Sequence, residues 1–195
     1  LVSATVKIAS TENHGITHLQ IPESIVPSFG QAKLLLGAGL GFEMYSTDSD
    51  GNKTVTDLST TTIKVNSVSQ LESLADSLGK LKEMGVSSLD LEGLEIPVDV
   101  AKVFATSTTT INFLNQPKLL ITSEDNLADV PGFLDEIVTL GVREITFENG
   151  VEVNAANAYE IIQRSDQVVF SNGFITDSEG VEDSQLKTVL SSLKL

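Results

Sequence analysis

The stretch TDSDGNKTVTD, from Thr47 to Asp57, sets Asp48 and Asp50 two residues apart ahead of Gly51, with Ser46 just before and Asp57 seven residues beyond Asp50. Alternate carboxylates around a glycine turn can converge on one hard cation, which makes Asp48, Asp50 and Asp57 candidate calcium ligands. The same loop offers Ser46, Asp48, Asp50 and Asn52 as a candidate binding surface. Its match to a calcium-binding EF-hand loop is imperfect, since Asp57 stands where a bidentate glutamate belongs and Lys53 at the central apolar position. The competing reading is a plain hairpin turn at Asp50 and Gly51, which needs no ion.

Other polar clusters have structural readings. EDNLAD (Glu124 to Asp129) and DSEGVED (Asp177 to Asp183) place carboxylates where helices begin, and negative charge there complements the helix dipole and free N–H groups. His14 and His18 are four apart, but the intervening Gly15 ends a helix, so they do not share the face a zinc pair requires. Asn52, Lys53 and Thr54 form an N-x-T sequon. No activated nucleophile, phosphate-binding loop, dinucleotide fingerprint or metal-ligand cluster is present, and the sequence therefore predicts a protein without enzymatic activity.

Composition narrows the classes further. The chain has 195 residues, 41% of them hydrophobic, which is enough for a sizeable aliphatic core. A net charge of −15, with twelve Lys and Arg spread along the chain, excludes a phosphate-tracking surface and with it nucleic-acid binding. The absence of cysteine removes disulfides, thiolate metal sites and a cysteine nucleophile. No apolar run reaches the ~18 residues of a membrane span, so membrane insertion is not expected.

The elements that must position these residues come from aligning the chain with itself. A shift of 56 superposes Gly85, Val86, Leu89 and Leu91 on Gly141, Val142, Ile145 and Phe147, and Leu71, Leu74, Leu78, Leu81 and Met84 on Leu127, Val130, Leu134, Ile137 and Leu140. Apolar spacings of three and four mark the second set as an amphipathic helix, and the glycine that follows marks its end before a strand. Leu186, Leu190 and Leu193 give that helix again, and Leu1, Ala4 and Ile8 give it once more ahead of Gly15. IPVDVAKVFAT from Ile96 and VNAANAYEIIQR from Val153 predict a second helix, opened by Pro97 and by Asn154 as a cap. Two short strands follow it in each copy.

The expected fold is α/β: three tandem βαββα repeats stacked as a short solenoid-like array. Residues 1–14 form the C-terminal helix of a preceding repeat, 15–84 the first repeat with a hairpin insertion at 46–61, 85–140 the second and 141–195 the third. The pattern G-V-x-x-[LI]-x-[LF], with S-x-D-N-L-x-x-[VL] leading into L-x-x-[LI]-x-x-L-G-V, is carried most fully by ITSEDNLADVPGFLDEIVTLGVREITF from Ile121 to Phe147. It resembles the tandem repeats of large secreted bacterial surface proteins, the adhesins exported by type I secretion. The resemblance implies an extracellular or cell-surface location and a non-catalytic structural module of an adhesin, matrix or filament protein, self-assembling through neighbouring copies of the repeat. The alternative expectation is a calcium-assisted module that recognises a glycan or surface partner through the 46–61 insertion.

Overall fold

In a computed structural model the described residues are 18–22, 24–55, 61–149, 151–172 and 175–194. The helix expected in residues 1–14, together with His14 and Asp57, lies outside them. The chain divides into two compact units, the first ending at Asp90 and the second beginning at Leu91. Both are mixed α/β with parallel strand pairing, in line with the expected α/β class.

The first unit runs β1 (His18–Pro22), α1 (Phe29–Ala38), β2 (Gly41–Thr47), β3 (Lys53–Val55), β4 (Thr61–Lys64), α2 (Val68–Ala75), α3 (Leu78–Glu83) and β5 (Val86–Asp90). β1 pairs in parallel with β2, and β4 with β5. β3 is the exception: it folds back antiparallel on β2 to make the inserted hairpin, with Ser46 opposite Thr54. Helix α1 starts in a capping box, Ser28 accepting from the Gln31 amide while the Gln31 side chain accepts from the Ser28 amide, so two otherwise unpaired donors are satisfied together. It ends where Gly39 turns left-handed.

The single helix expected from Leu71 to Met84 is two helices. Ser77 adopts φ −122° and ψ 14°, a non-helical conformation that breaks the ladder between α2 and α3. The apolar register survives the break, because Leu71, Leu74, Leu78, Leu81 and Met84 are all buried. What the spacing encodes is the face that meets the core, and a bend between two short helices keeps that face inward.

The second unit runs β6 (Glu95–Pro97), α4 (Val98–Ala105), β7 (Asn112–Leu114), β8 (Lys118–Ile121), α5 (Glu124–Asp129), a 3-10 turn (Val130–Phe133), α6 (Leu134–Leu140), β9 (Glu144–Phe147), β10 (Val153–Asn154), α7 (Ala155–Arg164), β11 (Val169–Ser171), β12 (Ile175–Asp177), α8 (Asp183–Ser192) and β13 (Leu193–Lys194). Here too the expected helix is segmented. Pro131 lacks an amide proton and Gly132 follows it, so the chain tightens into the 3-10 turn before α6 resumes. Leu127, Val130, Leu134, Ile137 and Leu140 remain buried through the interruption.

Five strands of this unit form one all-parallel sheet in the order β13-β11-β9-β8-β6, and β10 pairs with β12 in a second. Register aligns Ile96, Leu119, Ile145 and Phe170 in one row, all buried. Ile121 and Phe147 add a second buried pair on the same side. Strand side chains alternate, so the intervening rows face the other way: Glu95, Lys118, Glu144 and Val169 in one, Pro97, Leu120, Thr146 and Ser171 in the next. Apolar rows face the helices and mixed, largely polar rows form the opposite face.

Gly141 makes the handover from α6 towards β9 possible. Its φ of +117° lets its own amide reach the carbonyls of Ile137 and Val138 while the Val142 amide returns to Ile137. A Cβ on this residue would also collide with the backbone carbonyl of Phe113 in β7.

Candidate functional site

A groove of about 560 Å³ extends to the carboxyl ends of β8, β9 and β11 and is lined by Glu95, Leu120, Thr146, Phe147, Glu148, Asn149 and Asn172. Glu95 borders it from the amino end of the sheet, in the row of Lys118 and Glu144. Each residue reaches it through strand phase or position. Leu120 and Thr146 are side by side in the outward row, Glu148 and Asn149 directly follow β9, and Asn172 directly follows β11. The Glu148 amide donates to the Ile121 carbonyl, which fixes the chain as it leaves β9. Asn172 has φ +58°, a left-handed conformation that asparagine tolerates better than most residues, and its Nδ2 donates to Thr146 Oγ1 at 3.4 Å.

A polar network continues from the groove along the same sheet face. Lys118 Nζ lies 2.8 Å from Glu144 Oε1, and Ser171 Oγ donates to that same oxygen at 2.6 Å. The hydrogen bond to Glu144 raises the Lys118 pKa above its usual 10.5, and the charges of Glu144 and then Glu95 add to it. Three adjacent strands are therefore tied across by charge-assisted contacts on a half-buried surface. The groove is lined by the carboxylate residues Glu95 and Glu148, the amide residues Asn149 and Asn172 and Thr146, with Leu120 as the apolar residue of the outward row. Such a combination can hold a small molecule by hydrogen bonds to hydroxyl or amino groups with one apolar contact.

A smaller cavity of about 220 Å³ lies elsewhere in the unit, lined by Phe104, Ala105, Ser107, Thr110, Asp135, Glu136, Thr139 and Leu140. Its two carboxylates belong to the first turn of α6, where negative charge complements the helix dipole.

The hairpin singled out in the sequence is placed as follows. Ser46, Asp48, Asp50 and Asn52 are all exposed. Asp48 Oδ1 accepts from the amides of Asp50 and Asn52, and Oδ2 accepts from Asn52 Nδ2. The Asn52 side-chain bond is the main reason the Asp48 carboxyl sits below its usual pKa, with the backbone donors adding to it. Asp48 thus closes the turn on itself. Among the described residues no group of three or more His, Asp or Glu side chains is close enough to hold a metal ion. The acidic helix starts behave as dipole partners: Glu124 and Asp125 occupy the first turn of α5, and Ser123 caps it.

The groove residues were not singled out by sequence patterning, although one signal was present. Ile145 and Phe147 were read as a strand, and strand alternation then obliges Glu144 and Thr146 to share the opposite face. What alternation could not supply is that Asn172, 26 residues further along, reaches Thr146.

No family model matches the chain, and no curated protein matches it. Solved structures similar to it include 2,3-dimethylmalate lyase, a PEP mutase/isocitrate lyase superfamily member, at 10% identity and a TM-score of 0.27, the likeness covering 97% of this chain and 79% of that one. Another is a "putative lyase/mutase" from Burkholderia cenocepacia J2315, at 11% identity and a TM-score of 0.29, covering 98% and 81%. The neighbours are named as a lyase and a "putative lyase/mutase" and not as surface-protein repeats, so the expectations of a non-catalytic surface-protein module and of a chain without activity are not upheld. At these scores the likeness transfers no reaction, substrate or residue role to this chain. Among the described residues no helix is long and apolar enough to cross a membrane.

Proposed function

We propose that the second unit binds a small polar molecule in the groove that extends to the carboxyl ends of β8, β9 and β11. The observation that carries this reading is the convergence of Thr146, Glu148, Asn149 and Asn172 on one cavity at that edge of a parallel sheet, with Glu95 lining it from the amino end of β6. Parallel sheets favour this edge because the chain leaves every strand there, so loops of independent sequence can surround one point. Amide resonances followed during a screen of sugars, amines and small carboxylic acids test it. A binder should shift Thr146, Phe147, Glu148 and Asn149, and its effect should weaken in Thr146→Val and Asn172→Ala. Binders that shift only residues near Phe104 and Asp135, or a panel with no binder, would sink the proposal.

We infer also that the chain is built from three tandem βαββα repeats, at 15–84, 85–140 and 141–195. Recurrent parallel pairings support this: β1 with β2 as β9 with β11, β4 with β5 as β8 with β9, and β6 with β8 as β10 with β12. Ser67 and Ser123, 56 residues apart, cap equivalent helices by accepting from the amide three residues on. A chain with a second copy of residues 85–140 placed after Leu140 should fold cooperatively with proportionately more helix; failure to fold would count against the repeat. Calcium's candidate seat is the hairpin, whose Asp48 carboxylate already serves the turn. Chelation with EDTA should leave the melting temperature unchanged, and a drop would restore the ion.

A further inference from the structure

The chain contains two Asn-Gly dipeptides, Asn149-Gly150 and Asn172-Gly173, and both asparagines line the groove. Both are exposed. A glycine on the carboxyl side leaves the following amide nitrogen unhindered by a Cβ, the arrangement in which the backbone attacks a side-chain amide most readily. We propose that Asn149 and Asn172 are sites of spontaneous deamidation, which converts the amides of the groove into carboxylates. The glycine nitrogen bonds to the asparagine Cγ, the bond from Cγ to the amide nitrogen breaks, and ammonia leaves carrying the displaced proton. Water then opens the resulting five-membered imide at either carbonyl, giving aspartate or isoaspartate. No oxidant, cofactor or second protein takes part.

The surroundings set both the contrast and the consequence. Asn52 and Asn66 are exposed as well but precede Lys53 and Ser67, whose side chains hinder the same attack, so they serve as internal standards. Asn172 donates from Nδ2 to Thr146 Oγ1, and a carboxylate has no proton to give in its place. Two new negative charges would join Glu95 and Glu148 around one cavity and turn its preference towards cations. That effect on binding rests on the groove being the ligand site; the deamidation itself does not.

The test holds the intact chain in warm, mildly alkaline buffer and maps its peptides by mass spectrometry over time, with enzymatic methylation to mark isoaspartate. The expected result is that peptides bearing Asn149 and Asn172 exchange one amide nitrogen for oxygen well ahead of those bearing Asn52 and Asn66. Gly150→Ala and Gly173→Ala should each bring its own site down to the rate of Asn52. Asn149→Gln and Asn172→Gln should remove each signal even where a glycine variant disturbs the turn. Asn149 and Asn172 keeping their amides as long as Asn52 and Asn66 would overturn the inference. Mapped deamidation without any ligand in the screen refutes only the binding proposal, whereas a ligand that binds a groove of lastingly intact amides refutes only this one.

Discussion

Gly141→Ala is the substitution on which the reading of the helix-to-strand junction depends most directly. Gly141 has φ +117°, well beyond the left-handed well that side-chain-bearing residues occasionally occupy, and an alanine there should cost about 1–3 kcal/mol in backbone strain. A second cost comes from contact. The new Cβ would fall on the carbonyl oxygen of Phe113 and 3.3 Å from its carbon, and neither atom belongs to a side chain that can swing aside. Relieving the overlap means moving the backbone of β7 or the end of α6, which by analogy with overpacked cores adds about 1–3 kcal/mol. The sum is about 2–6 kcal/mol, set against a total stability of about 5–15 kcal/mol for an ordinary domain. Gly93→Ala is the control. Gly93 has φ +69° and nothing within 4 Å of the position its Cβ would take, so it isolates the conformational cost, about 1–2 kcal/mol. Urea denaturation followed by far-ultraviolet circular dichroism measures both, and with slopes of about 1–3 kcal/mol per molar the gap between the variants is resolvable. Equal destabilisation by the two substitutions would show that Gly141 does not lie against Phe113, and the account of the junction would fail. Gly141→Val should be worse than Gly141→Ala, because its branched Cβ carries more bulk to the same carbonyl.

Three further outcomes follow from other contacts. Asn154→Ala removes the cap that accepts from the amides of Ala156 and Asn157 and should cost about 1–2 kcal/mol, measurable as a lowered urea midpoint, whereas Ser123→Ala loses one bond and should cost about 1 kcal/mol. The raised Lys118 pKa stabilises the fold fully below the side chain's unfolded value near 10.5, and this contribution disappears as pH rises through the higher folded value. Lys118→Gln should therefore flatten the alkaline fall in melting temperature relative to the parent, and an identical fall in both would refute the contact with Glu144. Asp48 gives the opposite sign: its lowered pKa contributes stability above the unfolded value near 3.8 that is lost as pH falls through the folded one, and the protection of the Asn52 amide, its exchange taken relative to the intrinsic rate at each pH, should fall across that acidic window.

Particular residues show how far the sequence could be read. The three-and-four spacing from Leu71 to Met84 identified a buried face correctly, yet gave no sign that Ser77 leaves the helical conformation within it. Pro131 and Gly132 did carry a local signal for the break between α5 and α6, but the apolar register ran through it and masked it. The carboxylates from Asp48 to Asp57 drew attention because their spacing is local, while the groove went unremarked because its lining comes from four strands and their ends. A ligand site assembled from single residues of separate strands has no spacing to recognise.

By itself the sequence determined the inward face from Leu71 to Met84 and from Leu127 to Leu140 and the glycine at the α6 junction, since these follow from the periodicity of side chains and the conformational limits of an L-residue. It misplaced the face of α8, where Val189 is buried, Leu190 exposed and Leu193 in a strand, and it merged β6 and β10 with the helices that follow them. Tertiary structure alone decided strand order and register, and with them the meeting of Lys118, Glu144 and Ser171 and of Thr146 with Asn172. The physical reason lies in range. Helix faces and caps form within a few residues, whereas parallel strands are joined through intervening helices, and their partners are fixed only when the apolar rows pack together.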